Sequence, residues 1–165
     1  MIFTISPTVS AQLPAIVKIN QEALPAVSSV TLEDMEHFLS IVDYFRTLQL
    51  DDTIAGFLIA LTPGKDYHSP NYKWFEKKFD SFMYVDRIVI DPAYQSNGFG
   101  WSFYNNLREF TEGRSPRITC EVNLKPANEG SIIFHEKYGF RQVGKQETEG
   151  GKKEVSLMEY QINPS

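Results

Sequence analysis

The sequence predicts an α/β chain of the α+β kind, with a mixed, mainly antiparallel sheet of six to seven strands and about four flanking helices. Three observations carry that expectation. Residues 83–90 are β-branched and aromatic apart from Asp86-Arg87, Asp91-Pro92 stops them, and a polar loop with Gly98 and Gly100 leads into apolar residues at helical spacing, Phe99, Phe103, Leu107 and Phe110. Residues 44–50 and 53–61 are strand-like runs joined by Asp51-Asp52, which reads as a hairpin. Residues 140–148 and 154–162 read the same way around Glu149-Gly150-Gly151-Lys152. Hairpins weigh against an all-parallel sheet, whose strands need crossover connections.

Taken in order, residues 2–5 form a short opening strand closed by Ser6-Pro7. Ser10 caps a helix with Leu13, Ile16, Val17 and Leu24 as its apolar stripe, Pro14 tolerated near its start and Leu24-Pro25 as its stop. Thr31 caps a second helix, with Asp34 at the third position and Leu32, Met35, Phe38 and Leu39 turned inward. After the first hairpin comes an insertion, residues 62–80, rich in aromatics: Tyr67, Tyr72, Trp74, Phe75 and Phe79. Within it Ser69-Pro70 starts a short helix with Tyr72, Phe75 and Phe79 on one side. Long connections in compact domains are usually functional or mobile, so this one either walls a substrate pocket or covers the sheet edge. The central helix runs to Gly113, residues 117–123 form another strand, and Asn128 caps a last helix through Tyr138, with Gly139 where a left-handed cap belongs.

A chain of 165 residues suits a single domain, 1–165, that buries about 68–70% of its unfolded surface. Hydrophobic residues at 42% and charged residues at 22% place it among soluble globular proteins rather than disordered or membrane chains. No run approaches the roughly 20 apolar residues of a membrane span. The first residues lack the basic segment and long apolar core of a secretory signal, so a cytoplasmic location is expected. A single cysteine, Cys120, excludes an internal disulfide, and His37, His68 and His135 lie far apart, so no metal is expected. A net charge of −5 argues against a duplex nucleic-acid surface.

The first turn of a helix presents unpartnered N–H groups at the positive end of its dipole, and glycine lets a phosphate approach that backbone closely. A phosphate or pyrophosphate is therefore the expected ligand near Gly98 and Gly100. A P-loop would need Gly-Lys-Ser/Thr, where this chain has Gly100-Trp101-Ser102. A dinucleotide fingerprint would need a third glycine where Phe103 stands, although Glu121 imitates its ribose-binding acid. What remains is Gln95-x-x-Gly98-x-Gly100 after a strand ending Ile88-Val89-Ile90-Asp91-Pro92, and it resembles the coenzyme A pyrophosphate loop of the GNAT N-acetyltransferase superfamily. A second run agrees: Asn128-x-x-Ser131-x-x-Phe134-His135-x-x-x-Gly139-Phe140 is similar to the family's Asn, small residue and Tyr-x-x-x-Gly-Phe, with His135 in place of tyrosine. The order of elements matches a GNAT-like fold along nearly the whole chain.

The resemblance implies an acyltransferase that moves the acetyl group of acetyl-CoA to a primary amine by direct attack in a ternary complex. It implies that Gln95, Ser96, Asn97, Gly98, Phe99 and Gly100, with Trp101, hold the pyrophosphate. The main chain at Ile88, Val89 and Ile90 would meet the pantetheine arm and the developing oxyanion. Asn128, Ser131 and Phe134 belong to the same cofactor side. His135 stands where relatives place the acid that protonates the thiolate, and Tyr138, one turn on, is its substitute. The base is sought among carboxylates on inner strands, because a primary amine of pKa near 10 must lose a proton before attack. Asp86 shares a strand face with Tyr84, Ile88 and Ile90 and ranks first; Glu121, beside Asn123, ranks second. The structural alternatives are an Asp86-Arg87 neighbour pair or a buried hydrogen-bond acceptor at Asp86, and ordinary helix packing of His135.

Cys120 reads as a small buried residue rather than an acyl carrier. The rivals to catalysis are a coenzyme A-binding sensor module on the same fold and a nucleotide-binding regulatory domain. No residue pattern names the acceptor amine, and the resemblance leaves homodimerisation through an outer strand open.

Overall fold

The computed structural model describes residues 2–162. Its strands and α-helices are β1 (Thr4–Pro7), α1 (Leu13–Glu22), α2 (Leu32–Ile41), β2 (Tyr44–Leu50), β3 (Thr53–Leu61), α3 (Pro70–Lys78), β4 (Met83–Ile90), α4 (Phe99–Thr111), β5 (Arg117–Lys125), α5 (Glu129–Tyr138), β6 (Arg141–Thr148) and β7 (Lys153–Gln161). The strands form one seven-stranded sheet in the order β1-β2-β3-β4-β5-β7-β6. β4 and β5 run parallel, while β1–β2, β2–β3, β5–β7 and β6–β7 are antiparallel. The mixed, mainly antiparallel sheet is as the sequence predicts, and the helix inside the insertion makes the α-helices five. Two compact units divide the chain: Met1–Leu61 with Arg87–Glu109, and Thr62–Asp86 with Phe110–Ser165.

In the first unit the N-terminal strand lies later than expected, at Thr4–Pro7, because Pro7 still faces Arg46 across the β1–β2 ladder. Ser10 does not cap α1. It belongs to a 3-10 turn, Ser10–Gln12, which begins at Val9, whose N–H donates to Gln12 Oε1 at 3.0 Å. That extra turn changes the buried stripe of α1 to Leu13, Ile16, Ile19 and Asn20, leaving Val17 half-buried and Leu24 exposed. The Thr31 cap holds as expected: Asp34 N–H donates to Thr31 Oγ1 and Thr31 N–H to Asp34 Oδ2, at 3.1 and 2.8 Å. Met35 and Phe38 point inward, whereas Leu32 at the first helical position is exposed and Leu39 half-buried.

Alternation along β4 turns Arg87 toward this helical pair. Its guanidinium donates to Asn20 Oδ1, the Ser28 carbonyl and Ser28 Oγ at 2.9, 3.0 and 3.0 Å, and lies over the Phe38 ring. A buried cation is tolerable only when its donors are satisfied, and these acceptors fix the segment between α1 and α2.

In the second unit the insertion folds back on its own helix. Gly64 N–H donates to Glu76, Lys65 N–H to the Tyr72 hydroxyl, and Tyr72 OH to the Thr62 carbonyl. Tyr72 and Phe75 are fully buried, with rings 5.5 to 6.1 Å from those of Phe82 and Tyr84. Trp74 lies against β6, where a Cβ on Gly144 would stand 2.4 Å from its ring. The insertion aromatics therefore pack on the sheet.

α5 begins at Asn128, whose Oδ1 accepts from Ser131 N–H at 3.3 Å, and ends at Gly139 with φ +123°. The Gly139 and Phe140 amides both return to the His135 carbonyl, closing the helix as the sequence predicts. Tyr138 packs on Tyr160, which faces Ile118 across the β5–β7 ladder. α5 thus covers the Ile118, Cys120 and Met158 side of the sheet, and Thr119, Glu121 and Glu159 lie on the other.

Candidate functional site

The loop between β4 and α4 shapes itself with its own side chains. Gln95 Nε2 donates to the Ile90 carbonyl at 3.3 Å, and Asn97 Nδ2 donates to the carbonyls of Tyr94 and Gln95 at 2.9 and 3.2 Å. Ser96 and Gly98 take positive φ, +67° and +78°, so the chain doubles back before the helix. Nothing lies within 4 Å of where a Gly98 Cβ would be. The helical ladder opens with Ser102 N–H donating to the Gly98 carbonyl at 3.1 Å, so the amides of Phe99 and Gly100 stand ahead of the first helical bond.

An exposed glycine, an open approach and leading amides at the positive end of a thirteen-residue helix make a fitting cradle for a pyrophosphate. The amide side chains of Gln95 and Asn97 are spent on holding the loop's shape. Trp101 is exposed in the first turn, and the Phe99 ring is buried edge-on to Phe3, with centroids 5.3 Å apart. Ile88 and Ile90 are half-buried and Val89 buried on β4, where Gly56 of β3 passes beside the Val89 carbonyl.

In the second unit, β4 and β5 pair over only Met83–Ile118 and Tyr84–Thr119. Asp86 and Glu121 follow two residues later on the same face, both half-buried. The two carboxylates each receive a phenol. Tyr84 OH donates to Glu121 Oε1 at 2.8 Å, and Tyr67 OH donates to Asp86 Oδ1. Tyr84 is fully buried, and its pKa is pushed well above the ordinary 10.0 by burial first, then by the charges of Glu121 and Asp86 and by Tyr67. It stays protonated and keeps donating. Strand phase in the sequence brings the two acids to one face but assigns neither phenol to them. Tyr84 was within reach of it, two residues from Asp86 on one strand face; Tyr67 was not, because a loop contact brings it there.

His135 sits on α5, on the opposite side of the sheet from the two acids. It is 4% exposed, and its Nδ1 lies 2.7 Å from the Ser131 carbonyl and 3.3 Å from Ser131 Oγ. Nδ1 therefore carries the proton and donates to the carbonyl. Burial lowers the His135 pKa from its ordinary 6.5, the Ser131 carbonyl opposing this only in part. The ring packs edge-on against Phe134 and Phe140, and Tyr138 is buried against Phe140 and Tyr160.

Asn128 and Ser131 join the start of α5 through the cap bond, and Asn128 also borders a groove of about 380 Å³ lined by Asn123, Leu124, Ala127, Ile132 and Ile133. Cys120 is 2% exposed, facing away from Glu121. Among the described residues no group of three or more His, Cys, Asp or Glu is placed to hold a metal ion. Among them, too, no helix is long and apolar enough to cross a membrane.

Against this geometry, a family model described as the acetyltransferase (GNAT) family matches residues 13–140. Solved structures agree in fold. The ribosomal-protein-S18-alanine N-acetyltransferase of Escherichia coli superimposes with a TM-score of 0.74 at 20% identity, covering 99% of this chain and 96% of its own. Ard1 of Thermoplasma volcanium gives 0.82 at 14% identity, covering 99% and 100%. The yncA protein of Salmonella typhimurium, solved with its cofactor acetyl-CoA, gives 0.74 at 15% identity, covering 100% and 96%. No curated protein sequence matches the chain.

Proposed function

Since the chain belongs to the GNAT acetyltransferase family, matched over residues 13–140, we propose that it is an N-acetyltransferase using acetyl-CoA and a primary amine, joined in a ternary complex. The observation that carries this reading is the start of α4: Gly98 at φ +78° with open space around it, and the amides of Phe99 and Gly100 ahead of the first helical bond. Those amides, with the turn formed by Gln95, Ser96 and Asn97, hold the pyrophosphate, and Trp101 flanks it. The backbone of Ile88, Val89 and Ile90 receives the pantetheine arm.

Bound acetyl-CoA supplies the acetyl thioester. Asp86 takes the proton from the acceptor ammonium, because it is a half-buried carboxylate on the strand whose end carries the cofactor contacts. Glu121, on β5 rather than on that strand, ranks behind it. For the leaving sulfur, a neutral His135 donating from Nδ1 to Ser131 is poorly supplied with a second proton, so Tyr138 takes precedence as the acid. Direct transfer is favoured over an acyl-enzyme at Cys120, which is a small buried side chain at 2% exposure.

Two measurements test this. Acetyl-CoA should raise the melting temperature where ATP and NAD do not, since a ligand at 100 times its Kd stabilises by about 2.7 kcal/mol. A screen of amines that follows free-thiol release should then find turnover. Protection by ATP or NAD alone, or protection by acetyl-CoA with no turnover on any amine class, refutes the proposal.

A further inference from the structure

We infer that Tyr67, delivered by the insertion between β3 and β4, is a positioning residue for Asp86: its hydroxyl holds the carboxylate in the orientation from which it takes the acceptor's proton. The inference rests on the reading of Asp86 as the base. Three features of the structure lead to it. Tyr67 OH donates to Asp86 Oδ1, although the two residues are 19 positions apart and belong to different elements. The segment that carries Tyr67 is pinned at three points, by Gly64 to Glu76, Lys65 to Tyr72 and Tyr72 to Thr62, and the Tyr67 ring packs edge-on against Tyr72 at 5.5 Å. Tyr72 is itself fully buried against Phe82 and Tyr84.

The phenol is therefore aimed by a packed support rather than by a free loop, which is what a positioning group needs. Two χ angles separate its ring from a backbone fixed by those bonds. Beside Asp86 stand Tyr67 from the insertion, which donates to it, and Tyr84 from β4, which donates to Glu121 of β5. A donor on one carboxylate oxygen fixes the plane of the carboxylate and so the direction from which it meets an ammonium. No bond forms or breaks at Tyr67.

The experiment compares Tyr67→Phe, Asp86→Asn and the double variant, with steady-state kinetics for both substrates. A hydrogen bond to a charged group at a half-buried site contributes toward the lower end of its usual range, so Tyr67→Phe should lose about tenfold in kcat. The KM for acetyl-CoA should stay unchanged and the melting temperature near that of the parent. In the Asp86→Asn background the same change should cost nothing further, because the group it positions is gone. Tyr67→Gln, whose amide can still donate, should recover most of the loss; it also serves if the phenylalanine variant folds poorly.

The failures separate. Full activity in Asp86→Asn sinks the base assignment and the positioning role with it. A large loss in Asp86→Asn with parental kcat in Tyr67→Phe overturns the positioning role alone. Equal additional losses from Tyr67→Phe in both backgrounds overturn it too, since the residue would then act on packing.

Discussion

Gly56 of β3 lies so close to the Val89 carbonyl of β4 that a Cβ at position 56 would stand 2.6 Å from that oxygen and 2.8 Å from the Ile90 side chain. A backbone atom cannot swing away as a side-chain tip can, so alanine there must push the end of β4 outward. Gly56→Ala should cost about 1–3 kcal/mol of stability. If the main chain at Val89 and Ile90 serves the thioester, kcat should fall by more than the folded fraction does. Urea unfolding and kinetics on the same preparation check both halves.

Gly98 presents the opposite case. Its surroundings are open, and only its φ of +78° resists a side chain. Gly98→Ala should therefore cost only the conformational strain, about 1–2 kcal/mol. Gly98→Val should in addition keep a phosphate off the helix start, weakening acetyl-CoA binding at least tenfold by calorimetry. Unchanged affinity in both variants would remove the loop from the site.

His135 imposes a direction on the pH dependence of stability. Its folded pKa is lowered from 6.5 by burial, so above that value neither folded nor unfolded chain carries the proton. As the pH falls below 6.5 the unfolded chain takes up a proton that the folded chain refuses. Stability from this group is then lost until the pH reaches the lowered folded pKa. His135→Asn keeps a donor for the Ser131 carbonyl and removes the titration. Melting temperatures measured from pH 8 down to about pH 5 should fall less steeply in the variant than in the parent.

Tyr84→Phe removes the fully buried phenol that donates to Oε1 of the half-buried Glu121. The expected loss is about 1–3 kcal/mol by denaturant titration, for a half-buried carboxylate deprived of one hydrogen bond. Acetyl-CoA affinity should not change.

Local chemistry makes most of the fold legible in the sequence. The Asp51-Asp52 turn works because Asp51 adopts φ +54°, which aspartate tolerates, and the Thr31–Asp34 box and the Gly139 cap are local devices of the same kind. Tertiary contacts decided the rest. Asn20 is buried on α1 because Arg87 and the Ser28 carbonyl satisfy it, which no periodicity shows. Arg87 turns to Asn20 and Ser28 across the alternation of β4, partners that its place in the sequence does not name. The acids at 86 and 121 could be named from strand phase, whereas the Tyr67 partner depended on how the insertion folds.

That insertion also sets a rule for exchange among relatives. Thr62, Gly64 and Lys65 are fastened to Tyr72 and Glu76, and Trp74 fills the space that Gly144 leaves open. A transplant intended to alter acceptor choice must therefore carry residues 62–79 as one cassette. The recipient must offer glycine at the β6 position beneath the indole.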